Sequence, residues 1–121
     1  RRALSRVLRS KGFCWLDSHP MTRLYWSHVG TRATLSQEEM WWGAMNENQL
    51  CYYGGSDPEE YDRVLREEWT EEWGDRRQEL VFIGQGMDEA AIRLALDACL
   101  TTDEELDRYR ERQRKAMLSN Y

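Results

Sequence analysis

Apolar and polar positions change period several times along the chain, and each change marks an element. Leu4, Val7 and Leu8 share one helical face, so the spacing predicts an opening helical stub over Ala3 to Leu8. After Gly12 the run Phe13-Cys14-Trp15-Leu16 is apolar on both faces of a strand, which predicts a central place in a sheet. His19-Pro20 marks a turn. Leu24, Trp26 and His28 then alternate with Tyr25, Ser27 and Val29 in a second strand, Gly30 punctuates it, and Arg32 to Leu35 reads as a hairpin-connected third. Ser36-Gln37-Glu38-Glu39 fits a capping box, with Leu35 and Met40 spaced as a hydrophobic staple, leading into a short helical turn through Trp41 and Trp42. Cys51-Tyr52-Tyr53 is a short apolar piece ended by Gly54-Gly55, and the pattern leaves open whether it joins the sheet.

The second half is more regular. Asp57 suits an N-cap, Pro58 the first helical position, and Glu59 and Glu60 the positive start of a helix. Tyr61, Leu65, Trp69 and Trp73 recur every fourth residue with Val64 beside them, predicting a buried stripe about four turns long that Gly74 stops. Glu79 to Gly84 reads as a strand apolar on both faces. Asp88 caps a further helix with Ile92, Ala95, Leu96 and Cys99 inward, and Thr102 with Glu105 opens a last one whose stripe (Leu106, Tyr109, Met117) is thin enough to fray or dock elsewhere. Trp15, Trp69 and Trp73 are expected in the core, with Trp41 and Trp42 left open. Short strand-to-strand links favour an α+β domain, a mainly antiparallel sheet of about four strands with helices packed on one face. The 121 residues suit one domain, with a core at about 9–105 and a helical tail at 106–121.

Composition narrows the class. Fourteen aromatic rings exclude a disordered tail, and no stretch approaches the roughly 20 apolar residues of a spanning helix. No signal peptide opens the chain, and Cys14, Cys51 and Cys99 form no CxxC pair. Together these suit a reduced, cytoplasmic protein. The net charge is −5, with five basic groups and no acid in residues 1–12 and eight acids against Arg63 and Arg66 in residues 59–75. That balance disfavours a nucleic-acid partner, and membrane contact is not expected.

Chemistry-bearing motifs are missing: no phosphate loop, no GxGxxG after a strand, no HExxH and no GxSxG, so this chain is not expected to be an enzyme. Cys14, His19 and His28 have the donor types zinc prefers, but their spacing matches no zinc pattern and no fourth ligand is evident. They define an alternative reading, an autonomous metal- or small-ligand-binding module. Glu67, Glu68, Glu71 and Glu72 fall away from the apolar stripe and read as a solvated face. Trp41-Trp42 is either a stacking platform or a pair split between core and crevice. Asp75-Arg76-Arg77, at a strand entrance, either grips an anion or another domain or is consumed locally, and the sequence weighs these evenly.

These residues also resemble a known family. Lys11-Gly12-Phe13-Cys14-Trp15-Leu16 looks like the strand that opens the CobW C-terminal domain. The segment Trp73-Gly74-Asp75-Arg76-Arg77-Gln78-Glu79-Leu80-Val81-Phe82-Ile83-Gly84 resembles that domain's most recognisable stretch, and Leu96 to Glu105 its closing helix and turn. The resemblance runs in order from residue 9 to about 105. It implies the C-terminal domain of a GTP-dependent metal chaperone that delivers zinc, or cobalt for cobalamin synthesis, to metalloprotein clients. GTP, magnesium and the cargo metal would belong to an N-terminal P-loop GTPase domain with a CxCC motif, neither of which is in this sequence. Starting at Arg1 rather than Met then reads as a cut within a longer protein. The expected role is to recognise a client or transmit the nucleotide state, with Trp73, Asp75, Arg76 and Arg77 as contact surface and Trp41 and Trp42 as a second candidate.

Overall fold

The computed structural model describes residues 4–119, with nothing stated for the side chains of Met117 and Ser119. These residues form a four-stranded antiparallel sheet and four α-helices, an α+β architecture. The strands are β1 (Val7–Leu16), β2 (His19–Val29), β3 (Arg32–Met40) and β4 (Glu79–Gly84), in the spatial order β3-β2-β1-β4. The helices are α1 (Glu47–Ser56), α2 (Pro58–Glu67), α3 (Glu89–Asp97) and α4 (Asp103–Ser119). The chain divides into two units. Residues 6–86 hold the sheet with α1 and α2, and the other unit holds α3 and α4.

Register explains which side of the sheet is filled. Ser10 lies opposite His28 and Phe82, Gly12 opposite Trp26 and Leu80, and Cys14 opposite Leu24, so these residues share one face. Leu24 and Ser10 on that face are only 3% and 4% exposed. The alternate residues (Arg9, Lys11, Val29, Arg32, Val81, Ile83) lie on the other face and are exposed. Buried Ser10 is satisfied by its neighbours. Its hydroxyl accepts the Trp26 indole N–H at 2.8 Å and sits 3.1 Å from His28 Nδ1. At Gly12 the backbones of β1 and β4 lie too close for a side chain. A β-carbon there would stand 1.9 Å from the Glu79 carbonyl oxygen, so only glycine fits.

Several expectations are corrected. The opening stub is not a helix beyond a single turn, because β1 already begins at Val7; Ala3 lies outside the described residues. The first hairpin turns at Asp17-Ser18, and His19-Pro20 begin β2. Ser36 to Glu39 cap nothing: β2 is 11 residues long, and pairing draws its hairpin partner out to Met40. Backbone pairing outweighs the local capping pattern here. The short helical turn follows at Trp42–Ala44, in 3-10 geometry.

Cys51-Tyr52-Tyr53, left open by the pattern, is helical within α1, which starts with an Asn46–Gln49 capping box. Gly54 lets α2 approach, its missing side chain lying 3.3 Å from the Tyr61 ring. Asp57 caps α2 as expected, yet α2 ends at Glu67, and the four-turn stripe does not form. Thr70 ends it. Its backbone pairs both ways with Gly74, at 2.9 and 3.0 Å, and its hydroxyl lies 3.3 Å from the Trp73 N–H. Gly74, at φ +64, therefore closes a tight turn rather than a helix. Leu65 and Trp69 are exposed as a result, and Val64 alone of that set is fully buried. β4 keeps its predicted bounds but is an edge strand, with Val81 and Ile83 about half exposed.

In the other unit, Asp88 caps α3 through the Ala91 N–H, and the Thr102–Glu105 box opens α4. Of the inward set on α3, Ile92 is buried, whereas Ala95, Leu96 and Cys99 are exposed. On α4, Tyr109 is buried and Leu106 half-buried; the Met117 side chain lies outside the described residues.

Candidate functional site

The segment from Trp73 to Gln78 connects the Thr70–Gly74 turn to β4, and every polar side chain in it has a local task. Asp75 is 2% exposed. One carboxylate oxygen accepts the Gly43 N–H at 2.8 Å and the other the Trp42 N–H at 3.2 Å, fixing the start of the 3-10 turn from more than thirty positions away. Gly74 and Gly43 touch at this point, since a β-carbon on Gly74 would lie 2.8 Å from Gly43 Cα.

Arg76 donates through Nε to the Trp73 carbonyl at 2.7 Å, and its guanidinium lies 5.6 Å from both the Trp15 and Trp73 rings. Those two rings are themselves 5.2 Å apart, tilted at 57°. The result is a half-buried cation packed against two indoles, an arrangement rich in contact area and specific in geometry. Arg77 is drawn elsewhere, to Glu68 at 2.9 Å, to Glu79 at 2.8 Å and to the Asp75 carbonyl at 2.9 Å. Glu68 also binds Arg63, which holds Glu60. Hydrogen bonding to Arg63, opposed by some desolvation, holds the Glu60 carboxyl below its usual range. Gln78 faces the Trp15 backbone: its amide oxygen accepts the Trp15 N–H at 3.1 Å and its amide nitrogen donates to the Trp15 carbonyl at 2.5 Å.

The two candidate tryptophans are split. Trp41 is 1% exposed, the most buried large side chain among the described residues, and its indole N–H has no partner among them. Trp42 is half-buried and packs its ring 4.9 Å from Tyr61. Of the two readings of this pair, the split between core and crevice is the one found, whereas the core expectation is reversed for Trp69, whose ring covers Gly74 and stays 36% exposed. The structure brings Trp15, Trp73 and Arg76 together in one cluster and joins Trp42 to Asp75 through the backbone. Neither Gln78 nor Gly43 is marked by the periodicity or charge of the sequence. Gln78 stood within the family-like segment, and that was its one signal.

Cys14, His19 and His28 are not brought together. His19 begins β2 and His28 lies near its end, about 30 Å apart for an extended strand. Both nitrogens of His28 are engaged: Nε2 lies 2.7 Å from the Gly30 carbonyl, so it donates there, and Nδ1 accepts from Ser10. His19 pairs with Ser18, and burial pushes the Cys14 thiol up. Among the described residues no group of three His, Cys, Asp or Glu side chains could hold a metal ion.

Over residues 1–100 the sequence matches the family described as the Cobalamin synthesis protein cobW C-terminal domain. The chain belongs to this family. As a CobW C-terminal domain it is 38% identical over 101 residues to the zinc-regulated GTPase metalloprotein activator 1 of Dictyostelium discoideum, an alignment covering 83% of this chain and 20% of that protein. The chain therefore spans about a fifth of the length of this relative. No solved structure is a significant match. No helix among the described residues is long and apolar enough to cross a membrane.

Proposed function

We propose that this CobW C-terminal domain serves a GTP-dependent metal chaperone as its client-recognising or state-transmitting part. The chemistry would lie elsewhere, in a P-loop GTPase domain of the same protein that binds GTP and magnesium and carries zinc or cobalt for a cytoplasmic metalloprotein client. The relative's description as a zinc-regulated GTPase metalloprotein activator supports the zinc reading.

One observation carries the assignment of the surface. Arg76 is half-buried, held by the Trp73 carbonyl with its guanidinium packed against the Trp15 and Trp73 rings. Arginine packed with tryptophan is the composition of an interface anchor, and its geometry is set before a partner arrives. Within the WGDRR segment, Trp73 and Arg76 would make the contact and Asp75 and Arg77 would position them. Trp42 beside Tyr61 is the second contact candidate, while Trp41 supports it from the interior.

The test uses the protein with its GTPase domain. Arg76→Ala should keep the thermal transition within a few degrees yet weaken binding to the client, or uncouple client binding from the nucleotide state, by about tenfold or more. Arg77→Ala should act first on stability. Client binding and nucleotide coupling both unchanged in Arg76→Ala would refute the assignment.

A further inference from the structure

β3 is an edge of the sheet, and its residues from Arg32 to Glu39 are all exposed. Which backbone groups face outward follows from the ladder. The Gly30 N–H donates to the Leu8 carbonyl at 3.0 Å, so even-numbered residues of β2 bond to β1 and odd-numbered ones to β3. Tyr25, Ser27 and Val29 stand opposite Ser36, Thr34 and Arg32, which therefore point their backbone groups at β2. Ala33, Leu35 and Gln37 point theirs away from the sheet. Three donors and three acceptors are thus presented at ladder spacing, a template for another strand. No proline interrupts it, and the strand stays regular until the bulge at Glu38–Glu39.

We propose that this edge pairs with the same edge of a second copy, antiparallel about a two-fold axis at Leu35. The order of residues selects that occupant. Pairing about Leu35 sets Leu35 against the partner's Leu35, Ala33 against the partner's Gln37, and Thr34 against the partner's Ser36. Arg32 then meets the partner's Glu38, and by symmetry the pair occurs twice. Opposite charges across strands favour a register and like charges oppose one. A parallel arrangement would set Arg32 on Arg32 and Glu38 on Glu38. Shifting the antiparallel register by two residues moves Arg32 onto Met40 or Ser36, and shifting it by one exchanges the faces. In the chosen register the hydrogen-bonded positions are Ala33, Leu35 and Gln37, whose groups face outward. Leu35, 49% exposed, loses its water-facing surface at the axis. Two four-stranded sheets become one of eight strands through a small contact, so the dimer is weak and concentration-dependent.

Sedimentation equilibrium of the full chain, from about 1 µM to about 500 µM, should show a monomer–dimer equilibrium within that range. Arg32→Glu and Glu38→Arg, both exposed side chains, should each weaken the dimer at least about tenfold with an unchanged circular dichroism spectrum, and the double variant should restore it. A monomer throughout the range overturns the proposal, as does a dimer indifferent to both single variants, or single-variant losses that the double fails to recover. A monomer that instead accepts the strand of a different protein at this edge would equally exclude the second copy.

Discussion

The Asp75 carboxylate accepts the backbone N–H of Gly43 at 2.8 Å, joining the entrance of β4 to the turn that follows β3. A second bond to the Trp42 N–H makes Asp75 a cap for a turn it does not adjoin in sequence. Asp75→Ala should cost about 2–3 kcal/mol, because two backbone donors lose their side-chain acceptor. Urea denaturation measures this, and quenching of tryptophan emission should change as Trp42 leaves Tyr61. A loss below about 0.5 kcal/mol would mean that the clamp is dispensable.

Gly12→Ala should be among the most damaging single changes. The new methyl would meet the Glu79 carbonyl oxygen at 1.9 Å and Leu80 Cα at 2.8 Å, both backbone atoms of the paired strand, and φ at this position is +154. Relief requires β1 and β4 to separate, so a loss of about 3–5 kcal/mol is expected. Hydrogen exchange should report it first as lost protection across Lys11 to Phe13 and Glu79 to Val81. Retained protection there, with the midpoint unmoved, would contradict the close crossing.

Trp41 separates ring burial from its polar atom. Trp41→Ala should cost about 3–5 kcal/mol through the cavity it leaves. Trp41→Phe keeps much of the volume and removes a buried N–H that has no partner, so its cost should stay near 1–2 kcal/mol. Equal losses in the two variants would show that the indole N–H is hydrogen-bonded in solution.

The start of α4 should respond to acid in a defined window. Hydrogen bonds from Thr102, through its backbone N–H first, hold the Glu105 carboxyl below its usual range. A lowered folded pKa gives a contribution that is complete above the unfolded value of about 4.3 and is lost as pH falls through the folded value. Protection of the Thr102 to Leu106 amides should therefore hold from neutral pH to the ordinary carboxylate range and fall below it, and Glu105→Ala should flatten the dependence. An identical profile in Glu105→Ala would remove Glu105 as the cause.

Where the sequence reading succeeded, one local signal agreed with the surrounding fold. Asp57 before Pro58, Asp88 before α3 and the Thr102–Glu105 box all cap as their residue types require. Gly30 and the run ending at Gly84 fixed a hairpin and a strand. It failed where a longer-range contact overruled a local pattern. The Ser36–Glu39 box lost to the β2 ladder, and the Trp69–Trp73 stripe lost to Thr70, which found bonds within its own turn. At the site, Asp75-Arg76-Arg77 can be weighed only evenly from sequence, because the partners that fix Asp75 and the face of Arg76, Gly43 and Trp15, lie more than thirty residues away. The split of Trp41 from Trp42 is one of two options in the pattern; the β2–β3 pairing continues to Trp41, whose N–H donates to the Met21 carbonyl, and it is this ring that is buried.

Gln78 completes the β1–β4 ladder at Trp15 with its side chain rather than its main chain. The two strands thus stay joined one step beyond the last paired residues, Phe13 and Glu79. Its own peptide groups are released from the straight path a strand would demand. That freedom allows the chain to bend away at once, so Asp75, Arg76 and Arg77 can point in three different directions within three residues. An alanine at this position would shorten the ladder and also remove the pivot about which the whole corner is steered.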